Sequence, residues 1–124
     1  MTYLDTHVAA WLYAGRVDLL SARARKLIDS EELRISPVVT LELELLREIG
    51  RLTVGGNTVV QGLSAQIGLR VCDLSFAAVV EAALDQHWTR DPFDRMIVGQ
   101  AAVGGSTLVT KDETIRRRYR GARW

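Results

Sequence analysis

Four carboxylates mark the chemistry open to this sequence: Asp5, Glu42, Asp94 and Asp112. Glu42 lies in the segment 37–49, whose apolar residues recur at helical spacing. At about 100° per residue, Val38, Val39, Leu41, Leu45, Leu46 and Ile49 form a broad apolar arc, while Glu44, Arg47 and Glu48 face the other way. Glu42 falls inside that arc. A carboxylate there needs either a buried arginine as partner or a function, because an unpaired buried charge is costly. Asp94 is placed alike, beside Ile97, Val98 and Ala101 on the inward side of a helix opened by Asp91-Pro92. Asp91 reads as the N-cap of that helix, a structural role. The positive helix terminus also favours an acid at position 94. Asp5 closes the strand-like Tyr3-Leu4-Asp5, and Asp112 follows Ser106–Thr110; each alone would pass as a helix cap.

The joint placement carries more weight. Asp5 and Asp112 follow strand ends, and Glu42 and Asp94 lie near helix starts. A parallel sheet gathers such points on one edge. Two unit charges 4 Å apart repel by about 4 kcal/mol at an effective dielectric near 20. Four acids together therefore demand a cation or raised pKa values. An all-oxygen donor set favours Mg²⁺, with Mn²⁺ as the alternative. His7 and His87 are the only histidines and Cys72 the only cysteine, which speaks against zinc.

The elements that must position these acids can be read from periodicity and punctuation. Strands are expected at Tyr3–Asp5, Leu33–Ser36, Leu69–Leu74 and Ser106–Thr110, with a last edge strand at Ala122–Trp124. Helices are expected over 6–14 (stopped by Gly15), 21–30 (with Ser21 as N-cap), 37–49, 58–67, 75–86 and from Asp91-Pro92 to Gly104-Gly105. A short basic helix follows Asp112, and Gly55-Gly56-Asn57 reads as a loop. Alternating strands and helices predict an α/β fold: one central parallel sheet of four to five short strands, flanked by helices in a three-layer sandwich. In such sheets the functional groove lies outside the carboxyl ends of the strands.

Composition sets outer bounds. The 124 residues suit one domain spanning 1–124. Apolar content of 48% and charged content of 25% predict a packed core. No apolar run approaches a membrane span, and no basic segment followed by an apolar stretch opens the chain, so a cytoplasmic protein is expected. A lone Cys72 reads as a small buried hydrophobe. The net charge of +1 hides a basic end, in which Lys111, Arg116, Arg117, Arg118, Arg120 and Arg123 outnumber Asp112 and Glu113. That end suits either a phosphate backbone or plain solvation. Trp11, Trp88 and Trp124 read as packing residues, although an exposed aromatic is also able to stack on a base.

Several stretches together resemble a known family. They are Leu4-Asp5-Thr6-His7-Val8, Ile35-Ser36-Pro37 leading to Leu41-Glu42-Leu43, Trp88-Thr89-Arg90-Asp91-Pro92-Phe93-Asp94-Arg95, Ile97–Ala101, and Leu108-Val109-Thr110-Lys111-Asp112. The chain resembles PIN-domain ribonucleases of the VapC toxin type, nearly end to end. The resemblance implies a metal-dependent endoribonuclease toxin with an acidic site of Asp5, Glu42, Asp94 and Asp112. The acid that begins the run Asp94–Ala101 is the site residue, so the assignment falls on Asp94 rather than Asp91. Asp5 and Asp94 are the expected direct Mg²⁺ ligands, with Glu42 and Asp112 completing the site and one of them available as general base. Thr110 and Asp91 would support the ligands. Arg90, Arg95, Arg116 and Arg117 would hold the RNA backbone. The family further implies a homodimer and a VapB-type antitoxin that inserts an arginine-bearing segment into the acidic groove. The alternative is a PIN fold that binds RNA or protein without cutting. A haloacid-dehalogenase-type phosphatase would want Asp-x-Asp where Asp5-Thr6-His7 stands. A receiver domain would want its phosphoacceptor after the third strand, and Asp73 lies inside it.

Overall fold

The computed structural model describes residues 1–124. Five strands, β1 (Thr2–Leu4), β2 (Leu33–Ile35), β3 (Arg70–Val71), β4 (Thr107–Val109) and β5 (Ala122–Arg123), form one all-parallel sheet in the order β3-β2-β1-β4-β5. Seven α-helices connect and cover it: α1 (Thr6–Tyr13), α2 (Ala22–Ser30), α3 (Pro37–Glu48), α4 (Gly56–Ile67), α5 (Phe76–Leu84), α6 (Pro92–Val103) and α7 (Glu113–Arg118). A 3-10 turn at Val17–Leu19 joins α1 to α2. The α/β sandwich read from the sequence is the fold observed.

The chain winds outward from β1 to β2 to β3, then returns through α5 and α6 to place β4 on the other side of β1. The strand order therefore reverses between β1 and β4, and ligand crevices open at the carboxyl edge of such a switch point. The central strands are short and buried on both faces, as parallel strands between helical layers must be. Leu4, Ile35, Leu108 and Val109 join Val8, Val39, Leu43, Leu63, Ile97 and Val98 in one apolar core.

Helix starts follow the expected side-chain chemistry. Ser21, Ser36, Ser75, Asp91 and Asp112 each accept a backbone N–H at their helix N-terminus. Pro37 and Pro92 fill first-turn positions, where a missing N–H is harmless.

Three expectations need correction. β3 is only Arg70–Val71, because the chain leaves the sheet after Cys72 N–H bonds the Ile35 carbonyl at 2.9 Å. The supposed loop at Gly55-Gly56-Asn57 is instead the start of α4. Gly56 is buried there, its N–H bonds Glu44 Oε1 at 3.0 Å, and a Cβ would lie 2.1 Å from the Thr40 carbonyl oxygen. Glycine is what lets α4 dock against α3. Gly56→Ala is therefore expected to destabilise the protein by about 2–3 kcal/mol, read from its urea midpoint.

The third correction concerns the face of α3. Val39 and Leu43 are its buried residues, while Leu41, Leu45 and Ile49 are 53%, 38% and 65% exposed. The helix carries two apolar stripes, and the sheet takes the one through Val39 and Leu43. Glu42 thus lies at the flank of the buried stripe rather than within it.

Candidate active site

The four acids arrive from four different elements at the carboxyl edge of the sheet. Asp5 follows β1 and caps α1, Glu42 projects from α3, Asp94 sits in the first turn of α6, and Asp112 caps α7 after β4. They line one open cavity of about 430 Å³, together with Asp91, His7, Trp11 and Lys111.

A chain of hydrogen bonds fixes three of them. Asp5 is 8% exposed; its Oδ1 accepts from Thr6 N at 2.8 Å and its Oδ2 from Thr110 Oγ1 at 2.6 Å. Thr110 Oγ1 in turn accepts from Asp112 N at 3.1 Å, and Asp112 Oδ1 accepts from Ile115 N at 2.8 Å. On the other side, the buried Thr6 hydroxyl donates to Glu42 Oε1. Both carboxylate oxygens of Asp5 are thus oriented before any ligand arrives, and Thr6 links Asp5 to Glu42. Thr6 was not singled out from the sequence; its signal was the hydroxyl directly after a strand-ending acid.

The electrostatics are those of crowded, unneutralised acids. None of the protein's ion pairs involves Asp5, Glu42, Asp94 or Asp112. The buried-arginine partner that would have made Glu42 a structural strut is absent. Burial raises the Asp5 carboxyl, against the lowering effect of the Thr110 and Thr6 hydrogen bonds. Burial likewise raises Glu42, with Asp5 adding to the shift. Asp94 is pushed up to about 7, by burial first and then by Asp91, Asp5, Asp112 and Glu42. As placed, no three His, Cys, Asp or Glu side chains close into a cage around a single ion.

Comparison with known proteins gives the family of the chain. The sequence profile of the PIN domain matches residues 2–121. The chain belongs to the PIN-domain family. It is 31% identical over 115 residues to Ribonuclease VapC22 of Mycobacterium tuberculosis, an alignment covering 91% of this chain and 88% of that protein. Its fold is similar to a chain in the crystal structure of VapBC2 from Rickettsia felis bound to a DNA fragment from their promoter. That match has a TM-score of 0.65 at 18% identity and covers 98% of this chain and 96% of the other.

The remaining expected residues of this PIN domain divide between cavity and scaffold. Asp91 lines the cavity and is also the α6 N-cap, its Oδ1 accepting from Phe93 N at 2.8 Å and Asp94 N at 3.2 Å. Arg90 is exposed and donates to the His87 carbonyl at 2.9 Å. Arg95 is not among the residues lining the acid cavity: its Nε and Nη2 donate at 3.1 Å to the carbonyls of Ala83 and Leu84. The guanidinium thus caps the C-terminal end of α5. Arg116 and Arg117 are exposed on α7, outside the cavity lining. Lys111 is the one lysine or arginine that lines the cavity, a placement that only the closeness of β4 to the acids reveals.

Thr110 offers a direct check on how the acids are held. Thr110→Val removes a donor to buried Asp5 and an acceptor for Asp112 N. It is expected to cost about 2 kcal/mol of stability in denaturation, and Thr110→Ser should restore most of it.

Proposed function

We propose that this PIN domain is a divalent-metal-dependent endoribonuclease, the toxin of a VapBC-type toxin–antitoxin pair. The observation that carries this reading is the convergence of four carboxylates, none of them in an ion pair, at the crevice where the strand order reverses. The donor set fits Mg²⁺ or Mn²⁺. It is all oxygen, it is negative enough to repel itself, and Mg²⁺ keeps several waters, so one or two carboxylates suffice without a closed cage. Asp5 and Asp94 would hold the ion, and Glu42 and Asp112 would complete the site. When bound, the cation supplies neutralisation of phosphate charge and a lowered pKa for an attacking water.

The chain's own residues supply the rest. Thr6 and Thr110 fix Asp5, so its geometry needs no rearrangement on binding. Glu42 Oε1 is committed to Thr6, which leaves Oε2 free to accept a proton from water. Burial makes this carboxylate a stronger base than an ordinary glutamate. Water gives a proton to Glu42 Oε2 as its oxygen adds to phosphorus, the P–O bond to the leaving ribose oxygen breaks, and that oxygen takes a proton from solvent water.

The same cavity suits an antitoxin arginine, because a guanidinium meets carboxylates bidentately where no protein cation does. A homodimer fits the second apolar stripe of α3. Leu41 and the 76% exposed Phe76 of α5 flank an apolar groove with Pro37, Val38 and Met96.

The test is cleavage of total cellular RNA by the purified chain, in Mg²⁺ and in EDTA, beside Asp5→Ala. Discrete cuts that need both metal and Asp5 are expected. A well-folded protein that binds RNA and cuts nothing in Mg²⁺ or Mn²⁺ would favour the silent binding module.

A further inference from the structure

Trp11 stands on a wall shared by two concavities. On one side is the acid cavity, to which His7, Trp11 and Lys111 contribute. On the other is a hollow of about 460 Å³ beside α1, the 3-10 turn and the end of α3, lined by His7, Trp11, Arg16, Leu46, Arg51 and Leu52. The indole is half-buried against the core. His7 and Trp124 meet it at ring-centroid distances of 6.1 and 6.2 Å and tilts of 50° and 59°, so neither ring stacks flat on it. Lys111 Nζ hangs 5.9 Å from the ring centroid.

We propose that this wall is a nucleobase-stacking platform: single-stranded RNA with one phosphate in the acid cavity lays a neighbouring base on Trp11 and runs its next phosphate toward Arg51. The inference rests on the nuclease reading and adds where the strand lies. Three observations favour RNA as the occupant. The hollow adjoins the acid cavity, sharing His7 and Trp11 as lining residues. Its apolar floor and aromatic wall suit a flat base, and every base has a π-face, so such a platform tolerates any sequence. Its cations suit the backbone. Arg16 is occupied by Asp18 through two contacts of 3.0 Å, whereas Arg51 is exposed and enters no ion pair. Lys111, loosely placed over the indole, is able to swing to a phosphate as the base arrives.

The platform is tested by binding of a labelled octauridine, with Mg²⁺ present, in an Asp94→Asn background that keeps the RNA whole. Trp11→Ala should weaken binding about tenfold or more, and Trp11→Phe less. Arg51→Ala should lower the salt slope by about 0.7, the share of one single-strand phosphate contact. Octauridine carrying one abasic ribose, scanned along its length, should lose affinity at one or two positions for the wild-type indole and at none for Trp11→Ala. That scan keeps the test valid if Trp11→Ala folds poorly, because Trp11→Phe then replaces it and should blunt the positional loss. Folded Trp11→Ala that binds within twofold of its parent, or an abasic scan flat in its parent, would overturn the platform. Unchanged octauridine binding with loss of a protein partner would also overturn it. Weakened octauridine binding by a protein that cuts no RNA would uphold the platform and sink only the nuclease reading.

Discussion

Asp94→Asn is expected to lower RNA cleavage by about a thousandfold or more while the protein stays folded. The side chain is half-buried among Asp91, Asp5, Asp112 and Glu42, and burial together with those four acids resists its charge. Asparagine keeps the shape and removes the charge that a divalent ion needs, and removing one oriented charge from such a site takes several kcal/mol from transition-state stabilisation. Asp91→Asn, three residues away, should lower cleavage by less than about tenfold. Asp91 acts through Oδ1, accepting two backbone N–H groups, and asparagine caps a helix equally well. Rates from a labelled RNA, with circular dichroism of both variants, separate the two residues. A reversal of the pair would move the metal-binding role from Asp94 to Asp91.

Asp94 also sets an unusual pH dependence for the metal-free protein. Its folded pKa of about 7 lies above the ordinary 3.8, so between those values the folded state holds a proton that the unfolded state has released. The stabilisation is therefore full below the unfolded value and is lost as pH rises through about 7. Asp5 and Glu42 shift in the same direction. Because Asp94 is half exposed, solvent screening discounts its effect to about 1–2 kcal/mol. In EDTA at pH 8, Asp94→Asn is expected to melt roughly 3–8 °C above the wild type, and at pH 4 the gap should nearly close. Mg²⁺ should reverse the order at pH 8: it stabilises the wild type by about 2.7 kcal/mol at a hundred times its dissociation constant, and the variant hardly at all. Equal melting of the two proteins in EDTA at both pH values would show that burial and the neighbouring acids do not resist the Asp94 charge as described.

Much of this site was legible before the fold was known, for a local reason. Asp5 and Asp112 betray themselves by following short β-rich runs, and Asp94 by sharing a helix face with Ile97, Val98 and Ala101, all three of them buried. Glu42 was found by an arc that proved to be the wrong stripe of α3. Two apolar stripes on one helix have the same period, and only the sheet decides which one it covers. Gly56 misled for a related reason: glycine signals a loop locally, but here it serves a close helix–helix approach set by Thr40 and Glu44. Charge alone carries no direction, so the contact of the Arg95 guanidinium with the open carbonyls at the end of α5 was not legible. Lys111 and Trp11 at the cavity wall depend on β4 lying beside β1, a pairing between distant segments that periodicity does not report.

In the proposed function, the carboxylates at the switch point hold a divalent ion between them. Anomalous diffraction from crystals soaked in Mn²⁺ tests it most directly. The expected result is a peak in the acid cavity within about 2.1 Å of carboxylate oxygens of both Asp5 and Asp94, absent in Asp94→Asn. No peak in the cavity at saturating Mn²⁺, or a peak unchanged in Asp94→Asn, would contradict it.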